Sequence, residues 1–91
     1  VENVILRLFL TSYEGKYQLG NLGVMRVDFR RERLMIQLAD QPSIPIYPES
    51  ESDFFCKDVD AQITFKKDKD GKVTELVLHQ GGADISAKRI E

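Results

Sequence analysis

The chain has no tryptophan, one histidine and one cysteine. A lone cysteine, Cys56, excludes an internal disulfide framework and any multi-cysteine zinc or iron–sulfur site. No run approaches the roughly 18–20 apolar residues that span a membrane as a helix. The most apolar stretch, Val4 to Leu10, is short and broken by Arg7. No small-residue cleavage site follows it, so it does not read as a secretory leader. Neither sign of charge dominates: 13 Lys+Arg stand against 15 Asp+Glu, a net charge of -2. That balance argues against a strongly basic nucleic-acid binder and against a polyacidic tail protein. No Asn-x-Ser/Thr acceptor, low-complexity tract or internal repeat is present, which excludes a solenoid. The chain begins at Val1 rather than Met, as expected of a piece of a longer protein or a processed product.

What is present fits one small domain. The 91 residues are 42% hydrophobic and 31% charged, the balance of a soluble globular chain. A chain of this size buries roughly 60–65% of its unfolded surface, enough for one core but with little room for a deep active site as well.

Short alternating runs dominate. Met25, Val27 and Phe29 share one face, with Arg26 and Asp28 between them. Leu34, Ile36 and Leu38 repeat the pattern, as do Ala61, Ile63 and Phe65. Thr74, Leu76 and Leu78 form a fourth set, opposite Val73, Glu75, Val77 and His79. A period of two over five to eight residues, rich in β-branched and aromatic side chains, marks half-buried strands. Turn signals separate the runs: Gly20-Asn21-Leu22-Gly23, Asp68-Lys69-Asp70-Gly71 and Gln80-Gly81-Gly82. Pro42, Pro45 and Pro48 should put the strand Ile44 to Tyr47 at an edge, a rim or a bulge.

About eight short strands result, near Lys16, Val24, Leu34, Ile44, Phe54, Ile63, Val73 and Ile85. The expected fold is all-β, an antiparallel barrel or sandwich. Residues 13–91 form the expected domain, and residues 1–12 a lead-in or linker end. A short helix, an extra strand or a linker all fit the first residues.

Several phrases occur together in order: Tyr13-Glu14-Gly15-Lys16-Tyr17, Leu34-Met35-Ile36-Gln37-Leu38, Ile46-Tyr47-Pro48-Glu49-Ser50 and Asp53-Phe54-Phe55. Asp60-Ala61-Gln62-Ile63-Thr64-Phe65, Asp70-Gly71-Lys72-Val73-Thr74 and Leu76-Val77-Leu78-His79-Gln80-Gly81-Gly82 follow. The set resembles a family of small lipocalin-like β-barrel domains. These occur mostly at the C-terminus of serine β-lactamase-like or penicillin-binding-like hydrolases and peptidases. The resemblance covers roughly Tyr13 to Ile90 and implies a closed or nearly closed barrel of eight antiparallel strands. It departs from the family at Arg30-Arg31-Glu32-Arg33, where Asp-Gly or a similar pair is usual, and at the apolar Val4 to Leu10.

The resemblance implies an accessory role, because the attached hydrolases carry their chemistry in another domain. Their Ser-x-x-Lys nucleophile motif is absent: Ser12 precedes Lys16 by one residue too many, and Ser86 precedes Lys88 by one too few. The expected partner is a serine hydrolase domain of the same parent chain, with self-association as a second option. Export of the parent to the periplasm or outside the cell would fit, although one cysteine suits a cytoplasmic protein equally well.

Individual side chains carry chemistry only weakly. His79 is the one candidate general base, and its place reads as a surface position at a strand end. Cys56 follows Phe54-Phe55 and reads as an unreactive structural thiol rather than half of a pair with His79. Asp58, Asp60, Asp68 and Asp70 lack calcium-loop spacing, and Lys66, Lys67, Lys69 and Lys72 would repel a cation. Glu49, Glu51 and Asp53 read as a solvated acidic turn, and Arg26, Arg30, Arg31 and Arg33 as a solvated hairpin tip. No catalytic, cofactor-binding or metal-ligating residue is therefore assigned, and no cofactor is expected.

An eight-stranded barrel is near the size that side chains just fill. Met25, Phe29, Leu34, Ile36, Leu38, Phe65, Leu76 and Leu78 are bulky, so a packed interior is expected over a ligand cavity. Three functions compete. They are a non-catalytic accessory domain, a free-standing lipocalin-like binder of a small apolar molecule, and, last, an enzyme using Cys56 or His79. The first would present an outer apolar patch, to which Val24, Met35, Val73 and Val77 are expected to contribute.

Overall fold

The computed structural model describes residues 10–31 and 33–91. Eight strands follow one another: β1 (Gly15–Gln18), β2 (Val24–Arg30), β3 (Arg33–Leu38), β4 (Ile44–Pro48), β5 (Asp53–Phe55), β6 (Ala61–Lys67), β7 (Val73–Gln80) and β8 (Ala83–Arg89). Each pairs antiparallel with the next, and β8 returns to β1 to close a barrel. All eight expected strands are present. The alternating runs do what a period of two dictates: Met25, Val27, Leu34, Ile36, Ala61, Ile63 and Phe65 are buried, while Arg26, Gln62 and Lys66 are exposed.

One irregularity redirects a strand. β6 and β7 stay in register as far as Lys66 opposite Glu75, and then Lys67 meets Val73. Thr74 is the extra residue of a β-bulge, which resets the alternation. Val73 turns into the core at 3% exposure, and Thr74 is exposed. The expectation that put Thr74 inside and Val73 outside is thereby corrected.

The proline strand also differs from expectation. A closed barrel has no edge, and β4 pairs with both β3 and β5. Proline donates no ladder hydrogen bond, and the seam here is correspondingly short. Only Tyr47 with Phe55 and Pro48 with Phe54 join β4 to β5.

The question of a helix or linker at the start falls largely on residues 1–9, outside the described residues. Leu10 and Thr11 have helical backbone, and the turn closes through Tyr13 N–H to Leu10 O at 3.1 Å. This turn drops Leu10 and Tyr13 into one end of the barrel, where both are buried. Tyr13, Tyr17, Phe54 and Phe65 fill that end ring against ring, with edge-on contacts of Phe54 to Phe65 at 5.5 Å and Tyr17 to Phe65 at 5.9 Å. The Tyr13 hydroxyl donates to Glu51 O, and the Tyr17 hydroxyl donates to Tyr13 O at 2.9 Å.

Arg89 secures the same end. Its guanidinium donates to Glu14 O and, at 3.2 Å, to Val73 O. Gly15 makes room for it. A Cβ there would sit 2.9 Å from Arg89 Nε, on a backbone with φ +154.

Candidate functional site

Along two strands, β5 and β6, inward side chains shrink towards the other end of the barrel. Along β5, Phe54 gives way to Cys56 just past the strand, and along β6, Phe65 and Ile63 give way to Ala61. The space they leave is a cavity of about 270 Å³ that opens at a mouth. Met25, Ile36, Leu38, Ile44, Cys56 and Leu78 form its apolar wall, and Gln41 and Gln80 are the polar side chains that line it. The expectation of a filled interior therefore holds at the Tyr13 end and fails at the mouth. Eight strands enclose just enough room for side chains or one small molecule, and two small residues decide between them here.

Cys56 looks into this cavity and is only 9% exposed. Burial pushes its thiol pKa up, and the neighbouring Asp58 charge adds to the rise. Such a thiol stays protonated and is a poor nucleophile. Cys56 and His79 do not pair, because Cys56 lines the interior while His79 lies on the outer face of β7.

His79 has partners that sequence could not supply. Its Nδ1 is 2.7 Å from Asp84 Oδ1, and its Nε2 is 2.9 Å from Thr64 Oγ1. Thr64 Oγ1 donates to Asp53 Oδ1 at 2.8 Å, and Ser50 Oγ donates to Asp53 Oδ2 at 3.0 Å. The strand register makes this chain, since Thr64 faces Asp53 across β5–β6 and His79 faces Asp84 across β7–β8. A hydroxyl, an imidazole and a carboxylate in series resemble the parts of a nucleophilic triad. However, Thr64 has one hydroxyl proton, and Asp53 takes it. The geometry thus supports an outer-face hydrogen-bond belt over β5 to β8 and not an activated nucleophile.

The remaining candidates resolve into local structure. Asp68 Oδ1 accepts from the backbone N–H groups of Asp70 at 2.9 Å and Lys72 at 3.0 Å, which spends that oxygen on the hairpin turn. Glu49 and Ser50 N–H groups donate to Asp53 O in the acidic turn. Among the described residues, no three His, Cys, Asp or Glu side chains gather as a metal site. Ser86 lies exposed on β8, and Lys16 pairs with Glu91 at 3.3 Å.

The arginines form a tip with one aromatic support. Arg30 pairs with Asp28 at 3.1 Å. Arg33 donates to the Tyr47 hydroxyl at 3.1 Å, and Lys57 Nζ lies 4.2 Å from the Tyr47 ring centre. Arg31 holds a φ of 50, the left-handed region, in the turn between Arg30 and Arg33. Glu32 lies outside the described residues.

The expected outer apolar patch is not exposed. Val73 is in the core, Val77 is 6% exposed, and Val24 and Met35 are half-buried. Among the described residues the exposed large hydrophobics are Leu22, Val59 and Ile90.

A family model described as "Domain of unknown function (DUF3471)" matches residues 6–89. The chain belongs to that family. It is also 27% identical over 79 residues to Penicillin-binding protein 4* of Bacillus subtilis (strain 168). The match takes in 87% of this chain but only 17% of that relative. No solved structure is matched. The family match spans all eight strands of the barrel.

Proposed function

We propose that this domain is a non-catalytic accessory part of a serine β-lactamase-like hydrolase or peptidase. In this reading it is a lipocalin-like barrel at the C-terminus of the parent chain. It packs on the catalytic domain or mediates oligomerisation. The observation that carries the reading is the similarity to 17% of a penicillin-binding protein. The missing Ser-x-x-Lys spacing adds to it, as does a hydroxyl at Thr64 whose proton is engaged by Asp53.

The test starts from the full-length gene product that carries this segment. Its hydrolase domain and the 91-residue chain are expressed separately and mixed. Expected are saturable association by calorimetry and a change in the acylation rate of the hydrolase domain by a fluorescent penicillin when the barrel is added. A gene product with no Ser-x-x-Lys domain would overturn the proposal, and so would separated parts that neither associate nor influence each other.

A further inference from the structure

We propose that the mouth cavity binds one neutral, mainly apolar small molecule of about ten non-hydrogen atoms. Its body lies among Met25, Ile36, Ile44, Cys56 and Leu78, and a polar end meets Gln41 and Gln80. This goes beyond the accessory role and holds whether or not a parent hydrolase exists.

Size is the first argument. An apolar cavity of about 150 Å³ holds one benzene. A cavity of about 270 Å³ takes a molecule nearly twice as large. The lining is the second. It contains no charged side chain, so an ion entering it would lose its water with no partner in return. The two amides offer both donors and acceptors to a neutral end group.

Position is the third argument. The far end is plugged by Tyr13 and Leu10, and the ladder is closed all round, so the mouth is the one route in among the described residues. Leu10 and Ile90 both lie at the plugged end, which turns the mouth away from these chain connections. Bulk is the fourth. The same strands that place Phe54 and Phe65 at the sealed end place Cys56 and Ala61 at the mouth. On these two strands the space at the mouth follows from the small side chains of Cys56 and Ala61.

The test is methyl NMR of the 91-residue chain titrated with octan-1-ol and, separately, with octanoate. Expected are saturable shifts at Met25, Ile36, Ile44 and Leu78, one alcohol per chain, and at least tenfold weaker binding of octanoate. Ala61→Leu, which fills the cavity, should weaken the alcohol at least tenfold. As a measurement without a variant, saturating octan-1-ol should slow N-ethylmaleimide alkylation of Cys56 at least fivefold.

The proposal fails if no shift saturates up to the solubility limit of the alcohol. Equal binding of octanoate, or shifts confined to Leu22 and Ile90, overturns it as well. One alcohol per two chains would assign the mouth to a second copy and overturn it too. So would alkylation of Cys56 that is indifferent to the alcohol.

Discussion

Tyr13 stacks on Phe65, with ring centres 4.3 Å apart and planes 17° from parallel. This pair ties the segment ahead of β1 to β6 at the sealed end of the barrel, and both rings are buried. Phe65→Ala should cost roughly 3–5 kcal/mol. Tyr13→Ala should cost a similar amount, and the double mutant should show coupling of about 0.5–1.5 kcal/mol beyond area loss. Urea unfolding of the four variants in the cycle gives these numbers. A folded, unperturbed Phe65→Ala variant would contradict the inward assignment.

Alkaline pH should destabilise the barrel. Burial pushes the Tyr17 pKa up to about 12, with Arg89 working against the rise. Tyr13 and Cys56 are raised as well, each first through burial. In each case the unfolded chain ionises first. The folded state then holds the extra proton, and stability falls as pH rises. The loss should begin near the ordinary thiol value of 9.0 and continue to about 12. Tyr17 alone contributes a loss of roughly 2–3 kcal/mol over its window. Denaturant midpoints between pH 8 and pH 12 should fall, and Tyr17→Phe should flatten the upper part of the curve.

The outer-face belt should act through Thr64 more than through Asp84. Thr64→Val removes the hydroxyl that joins Asp53 to His79 and should cost about 1–2 kcal/mol. Asp84 has a side chain 73% exposed, so Asp84→Ala should cost under about 1 kcal/mol. Thermal unfolding at neutral pH distinguishes the two. Equal costs would mean that the belt does not work as described.

Two backbone positions predict opposite signs. Gly15→Ala drives a Cβ against Arg89 and should destabilise by about 1–3 kcal/mol. Arg31→Asn puts a residue tolerant of the left-handed region where arginine sits at φ 50, and should stabilise by roughly 0.5 kcal/mol. Chemical denaturation of both variants checks the pair.

The strands were legible because strand burial is written in a period of two. Met25, Val27, Leu34 and Ile36 could be placed inside from spacing alone. Val73 could not, because a bulge at Thr74 is a matter of which residue faces Lys67 across the ladder. The same limit hid Thr64 and Asp84 as partners of His79. They sit on three different strands, and register alone brings them together. The cavity was misjudged for another reason. Counting bulky inward residues gives the total fill, but not that Phe54 and Phe65 stand at one end and Cys56 and Ala61 at the other. Tyr13, Tyr17 and Leu19 alternate with Glu14, Lys16 and Gln18, but a period of two marks a side chain as inward and not as the plug of one end.

The clasp between Arg89 and Glu14 joins residues 75 positions apart. Hairpins such as β6–β7 and β7–β8 can zip from local contacts, whereas this clasp needs both chain ends together. Seven of the eight strand pairings join neighbours in sequence, so closing β1 on β8 carries the largest loop-closure entropy in the barrel. Until β8 pairs with β1, each presents an unpaired row of backbone donors and acceptors, a template for pairing with another chain. A nascent chain emerging from the ribosome reaches β8 last. The interval in which both rows stand open therefore ends when Tyr17 meets Arg89 and Gln18 meets Lys88 across the last seam.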